Sequence, residues 1–242
     1  MSSSIPGRDV SAPGSSPRSA PVARISRGAL TANARSAWRQ GIRRFDPSIL
    51  DADAWGHGAH LVGEVLDAGG FVATPPRDGA VGAVDGPAVA SPETTLTPST
   101  LFGLPAAGAS TTPALRLTGT VLSVKDLRAG EGVSYGYAFR APTDTRVALV
   151  TGGYAQGVVR RLGGAVDVAI AGERHPIVGR VAMDVCVVEI RDGAVRRGEE
   201  VLFLGDPAQG EPSLESWVRA TDLTAAELIT MVGLRATREE AP

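Results

Sequence analysis

From about Leu115 onward, apolar residues come in short runs of β type. Leu115 to Val124, Arg146 to Thr151, Val166 to Ile170, His175 to Val181, Val185 to Ile190 and Glu200 to Leu204 are rich in Val, Leu and Ile. Turn sequences such as Ala171-Gly172-Glu173 and Asp192-Gly193 separate them. β-branched side chains suit a pleated, half-buried surface, so short runs at this spacing predict a largely antiparallel sheet or barrel. Two short helices follow. Ser213 caps the first, Leu214 to Arg219. Thr224-Ala225-Ala226-Glu227 is a capping box that opens the second, whose stripe Leu228, Ile229 and Val232 marks a core face and which Gly233 ends.

The first third of the chain has a different texture. Val22 to Ile25 reads as an extended segment, and Ser26 caps a helix from about Arg27 to Gln40 that Gly41 stops. Pro47 to Ala54 reads as a second strand, Gly58 to Ala68 as a second helix before Gly69-Gly70, and Phe71 to Thr74 as the start of a third strand. Strand–helix alternation predicts a parallel βαβ unit. It then stops, because 76–112 are rich in Pro, Gly, Ala, Ser and Thr and read as a linker around one apolar island, Leu101-Phe102-Gly103-Leu104. Residues 1–20 have low hydrophobicity, no periodicity and many Ser and Pro, which predicts a disordered tail. The expected organisation is therefore a tail (1–20), an α/β segment (21–75), a linker (76–112) and a β domain (113–238).

Composition narrows the chemistry. The net charge of −2 gives no global pull toward nucleic acid or membrane. No apolar run approaches the roughly 18 residues that span a bilayer, and the N-terminal stretch has no apolar core of a secretory signal, so the expected location is the cytoplasm. The single cysteine, Cys186, rules out an intramolecular disulfide. Lys125 is the only lysine. This bears on cofactor chemistry, because amines form Schiff bases with carbonyl compounds and guanidiniums do not. Asp51, Asp53, His57 and His60 have ligand types for a divalent metal, but no metal role is assigned to them.

Several segments together resemble the alanine racemase family. Leu50-Asp51-Ala52-Asp53-Ala54-Trp55-Gly56-His57-Gly58-Ala59 is similar to the family's V-K-A-D-A-Y-G-H-G-A. Glu131-Gly132-Val133-Ser134-Tyr135-Gly136 resembles G-E-x-V-x-Y-G, and Gly153-Tyr154-Ala155-Gln156-Gly157 resembles G-Y-A-D-G. Pro176-Ile177-Val178-Gly179-Arg180-Val181-Ala182-Met183-Asp184 resembles P-I-V-G-R-x-x-M-D, and Arg235-Ala236-Thr237-Arg238 resembles the closing R-x-P-R without its proline. The resemblance implies a mainly β C-terminal domain, a barrel or sheet with two short helices. A short α/β remnant of a TIM barrel precedes it.

The resemblance also implies a pyridoxal-phosphate-dependent isomerase of D-alanine metabolism. It acts as a dimer whose cofactor lysine lies in the barrel and whose second acid/base, a tyrosine, comes from the partner's β domain. Tyr135 matches that tyrosine, and Tyr154 and Met183 match substrate-pocket positions, with Asp184 following in the same segment. Three departures stand against activity. The lysine position is Asp51, so no protein residue is expected to hold the cofactor in the isolated chain. Roughly 55 residues stand where a TIM barrel takes about 250. Finally, Gln156, Trp55 and Val185 replace the family's Asp, Tyr and Gln. The expectation is a catalytically degenerate racemase-like protein. Two alternatives are a non-catalytic subunit that docks on a full-length racemase and presents Tyr135 in trans, and an active racemase. A homodimer or such a heterodimer is the expected assembly.

Overall fold

The computed structural model describes residues 20–75, 95–105 and 111–242. Read in chain order, β1 (Val22–Ser26) leads directly into α1 (Arg27–Arg39), with the Ser26 hydroxyl accepting from Ala29 N as the cap pattern predicts. Next come β2 (Arg44–Phe45), a 3-10 turn at Pro47–Leu50, α2 (Asp51–Trp55), α3 (Ala59–Ala68) and β3 (Val72–Ala73). After the undescribed residues 76–94 come β4 (Thr95–Leu96) and α4 (Pro98–Phe102). The remainder is β5 (Leu115–Leu127), β6 (Gly132–Val133), β7 (Phe139–Arg140), β8 (Thr145–Thr151), β9 (Asp167–Ile170), β10 (Glu173–Val178), β11 (Val185–Glu189), β12 (Glu200–Leu204), α5 (Leu214–Thr221), α6 (Ala225–Arg235) and β13 (Thr237–Ala241).

A mainly β barrel with a few helices dominates. The order β12-β9-β10-β11-β8-β5 closes on itself because β12 also pairs with β5. Closure removes the free edges that an open sheet would expose. The long strand β5 makes this possible by changing partners along its length. Its first part pairs with β1, the middle with β12 across a register shift, and Val121 to Leu127 with β8. Inward positions are filled by Leu117, Val121, Val150, Val168, Ile177, Val188 and Phe203, all fully buried. Cys186 lies among them, and burial pushes its thiol pKa up to about 12.

The N-terminal strand joins this sheet rather than the α/β part: β1 runs antiparallel to β5 and parallel to β13. The sequence pattern does not predict β13, since Thr237-Arg238-Glu239-Glu240 is too polar to read as a strand. The α/β part keeps a parallel sheet of two-residue strands, β3-β2-β4. Asn33 of α1 is buried and fixes that region, donating to Leu101 O and Thr112 O and accepting from Thr112 N.

Several local expectations need correction. Pro47 to Ala54 is not a strand. Asp46 caps a 3-10 turn with Pro47 at its start, and the Ala/Asp alternation that resembles a pleat is a turn of opposite hand. The helix α6 runs past Gly233 to Arg235, because that glycine packs against another backbone instead of ending the helix. The strand expected to reach Val181 ends at Val178, before Gly179 with φ +66°. Within the stretch read as linker, β4 and α4 are formed, and Leu101, Phe102 and Leu104 are buried. The expected tail at 1–20 lies outside the described residues apart from Ala20, as do 76–94 and 106–110.

Candidate functional site

Two groups of residues bear on function, one in each part of the molecule. The first is α2. Ala52, Asp53, Ala54 and Trp55 all have φ between +49° and +56°, a complete left-handed turn without a glycine. Each such residue costs on the order of 1–2 kcal/mol, so something must hold the turn in place.

The hold comes from the C-terminal segment. Arg238 of β13 pairs with Asp53 at 2.6 Å and donates to Gly56 O at 3.2 Å. Asp53 also accepts from Ala59 N at 2.7 Å, and this hydrogen bond, with Arg238, keeps its carboxyl pKa below the usual range. Gly56, at φ +78°, faces Gly233 of α6 so closely that a Cβ on it would sit 2.6 Å from Gly233 Cα. On the inner side, Trp55 donates to Ser48 O, and the His57 ring stacks on Phe102 at 4.0 Å between centroids. His57 is fully buried with Nε2 unpartnered, and burial lowers its pKa to about 4. Asp51, the first residue of this element, is exposed.

The second group lies on the β domain. A 3-10 turn at Tyr135–Tyr137 joins β6 to β7 and leaves Tyr135 66% exposed. The Ser134 hydroxyl accepts from Arg180 N, and Gly179 gives it room, since a Cβ there would collide with Ser134 Oγ. The strap that starts at Gly179 continues to Met183 and Asp184. There it is zipped to the Tyr154 loop by Tyr154 N donating to Ala182 O and Ala155 N donating to Met183 O. Gln156 accepts from Gly153 N and donates to Asp184 Oδ1 at 2.9 Å. An aspartate at 156 would instead face the Asp184 carboxylate, so this departure from the family letters suits its neighbour. Tyr154 and Met183 are 41% and 54% exposed. One strap thus touches the loops of all four expected residues, Tyr135, Tyr154, Met183 and Asp184, but not Asp51.

The comparisons with known proteins follow this division. A family model described as "Alanine racemase, C-terminal domain" matches residues 114–240, a little over half of the chain. The chain belongs to the alanine racemase family. Alanine racemase from Mycobacterium leprae is 44% identical over 128 residues, which are 52% of this chain and 33% of that protein. Alanine racemase from Thermobifida fusca is 39% identical over 126 residues, 52% of this chain and 34% of that protein. These matches span about a third of the length of the relatives. Among solved structures, alanine racemase from Streptomyces coelicolor superposes with a TM-score of 0.75 at 19% identity, over 92% of this chain and 98% of that one, a likeness of fold. The Bartonella henselae alanine racemase, described with covalently bound pyridoxal phosphate, gives 0.74 at 16% identity over 92% and 99%.

Measured against the alanine racemase pattern, the chain's own residues do not fit a Schiff-base cofactor at position 51. The aldehyde needs an amine, and Asp51 offers a carboxylate whose charge repels a phosphate. Lys125 stands exposed on β5 opposite Val147, seven residues beyond the β1-paired Thr118. At about 3.3 Å per strand residue, that is roughly 20 Å along the strand. The residues that sequence reasoning missed are Arg180 and Arg238. Both belong to quoted family segments, so the signal was present, but the partners Ser134 and Asp53 are distant in sequence.

Proposed function

We propose that this chain is an alanine-racemase-like protein without racemase activity of its own, a β domain kept intact beside a reduced barrel. The observation that carries this reading is Asp51, an exposed carboxylate at the start of a left-handed turn that is otherwise fully braced. The test is titration of the purified chain with pyridoxal phosphate, together with an alanine racemisation assay. No Schiff-base absorption band and no racemisation are expected. A band that disappears with Lys125→Arg, accompanied by turnover, would overturn the reading in favour of an active racemase.

A second reading, a non-catalytic subunit, rests on a different observation. Tyr135, Tyr137, Tyr154 and Met183 are large apolar side chains left exposed on one domain, and such patches mark contact surfaces. The partner is then a second copy or a full-length alanine racemase, with Tyr135 presented in trans. Gel filtration of the chain alone and mixed with a full-length racemase tests this; elution as a monomer in both cases sinks it.

A further inference from the structure

We propose that the groove between α1 and α3 is a binding site for a small aromatic carboxylate. The groove has a volume of about 270 Å³. Its middle is open because the lining there is small, with Thr31 and Ala34 on α1 and Ala68 and Gly69 at the end of α3. Where larger residues would interdigitate and fill the space between two packed helices, these leave a channel. One end is apolar and aromatic. Trp38 and Phe71 meet edge to face with ring centroids 5.4 Å apart and form a corner that takes a flat ring.

The charge at the rim favours an anion. From Ala20 to Phe45 the chain holds six arginines and no acidic residue. Arg24 and Arg27 are neutralised across the fold. Arg27, at the far end of the groove, pairs with Glu64 at 2.7 Å and Glu240 at 2.6 Å. Arg35 lines the groove itself, is exposed, and forms no ion pair among the described residues; Arg39, one turn further along α1 and outside the groove lining, is likewise exposed and without an ion pair among them. Arg43 lies over the Trp38 ring at 3.7 Å and spends its hydrogen bonds on backbone carbonyls, so its charge too is uncompensated by any described carboxylate. Among the described residues lining the groove, the one acid is Glu64, and Arg27 already occupies it. A guanidinium with free donors beside an aromatic corner recognises a planar ring bearing a carboxylate, through charge-assisted hydrogen bonds at one end and ring contact at the other. The volume limits the ligand to one or two rings. Neither Asp51 nor Tyr135 lines the groove, so the site stands or falls independently of the racemase question.

The test uses the full chain and 2-naphthoate as probe, read by the indole N–H resonances in a 1H–15N spectrum, with Trp38 assigned through Trp38→Phe. We expect a saturable shift of the Trp38 resonance, with Trp217, which is buried elsewhere, unmoved. Binding should weaken at least tenfold in Arg35→Glu, at least tenfold in Ala68→Leu, which fills the groove, and at least tenfold for the neutral 2-naphthamide. Arg128→Glu, far along the chain and exposed, should bind as the wild type does. No saturable shift at Trp38, or equal affinity for the acid and the amide, or full affinity in a folded Arg35→Glu, would each overturn the proposal.

Discussion

The β barrel and the α/β region in front of it solve the same problem in opposite ways. The barrel closes through the β12–β5 pairing and satisfies its strand edges internally, with Trp217, Phe203 and a set of Val and Leu residues fully buried. The α/β region has three strands of two residues each and a left-handed turn that no local preference favours. It is held from outside, by Arg238, by the Gly56–Gly233 contact and by Asn33. The lesson is that a region with little sheet of its own keeps its shape where the neighbouring β barrel supplies contacts. β1 and β13, side by side in the barrel's own sheet, are the means.

Substitutions should separate the two regions. The largest effect is expected from Phe203→Ala on β12, where loss of a fully buried ring costs about 4 kcal/mol and should lower the midpoint of the whole cooperative transition in urea. Gly56→Ala should cost about 3 kcal/mol, combining a φ of +78° with a backbone collision. Its signature is amide exchange that rises in residues 46–60 before the barrel is affected; equal protection loss in β8 and β11 would erase the contrast between the regions. The His57 pH effect comes next. Its pKa is about 4 in the folded protein against the ordinary 6.5 of an exposed imidazole, so the unfolded chain binds the proton more tightly. Stability is therefore full above about pH 6.5 and is lost as pH falls toward 4, by up to about 3 kcal/mol. His57→Gln should flatten that slope in pH-dependent melting. Arg238→Ala should cost about 1–2 kcal/mol, less than a buried ion pair would, because both partners are one-third or more exposed. Smallest of all, Arg128→Ala breaks a fully exposed pair with Asp144 and should leave the melting temperature unchanged.

How much was legible in the sequence differs along the same line. The caps Ser26, Ser213 and Thr224 with Glu227 all act as their patterns predict, because capping is decided within four residues. The barrel strands at Thr145–Thr151, Val185–Glu189 and Glu200–Leu204 fall within a residue of the apolar runs that predict them. The turn at Ala52–Trp55 reads as a strand by pattern, because alanine, aspartate and tryptophan carry no mark of left-handedness. β13 escapes the pattern because its strand character comes from pairing with β1, more than 200 residues away, and not from its own polar letters.

Local letters were enough for the elements of the barrel and the caps of its helices. Those are properties of single residues or of neighbours in the chain, where the interaction and the pattern share one length scale. Only the folded chain decided that the first strand belongs to the last domain and that Arg238 braces Asp53. It also decided that Arg35 borders a groove with an aromatic corner. Each of these depends on groups brought together only after the chain has closed its longest loops, and no local pattern encodes such a meeting.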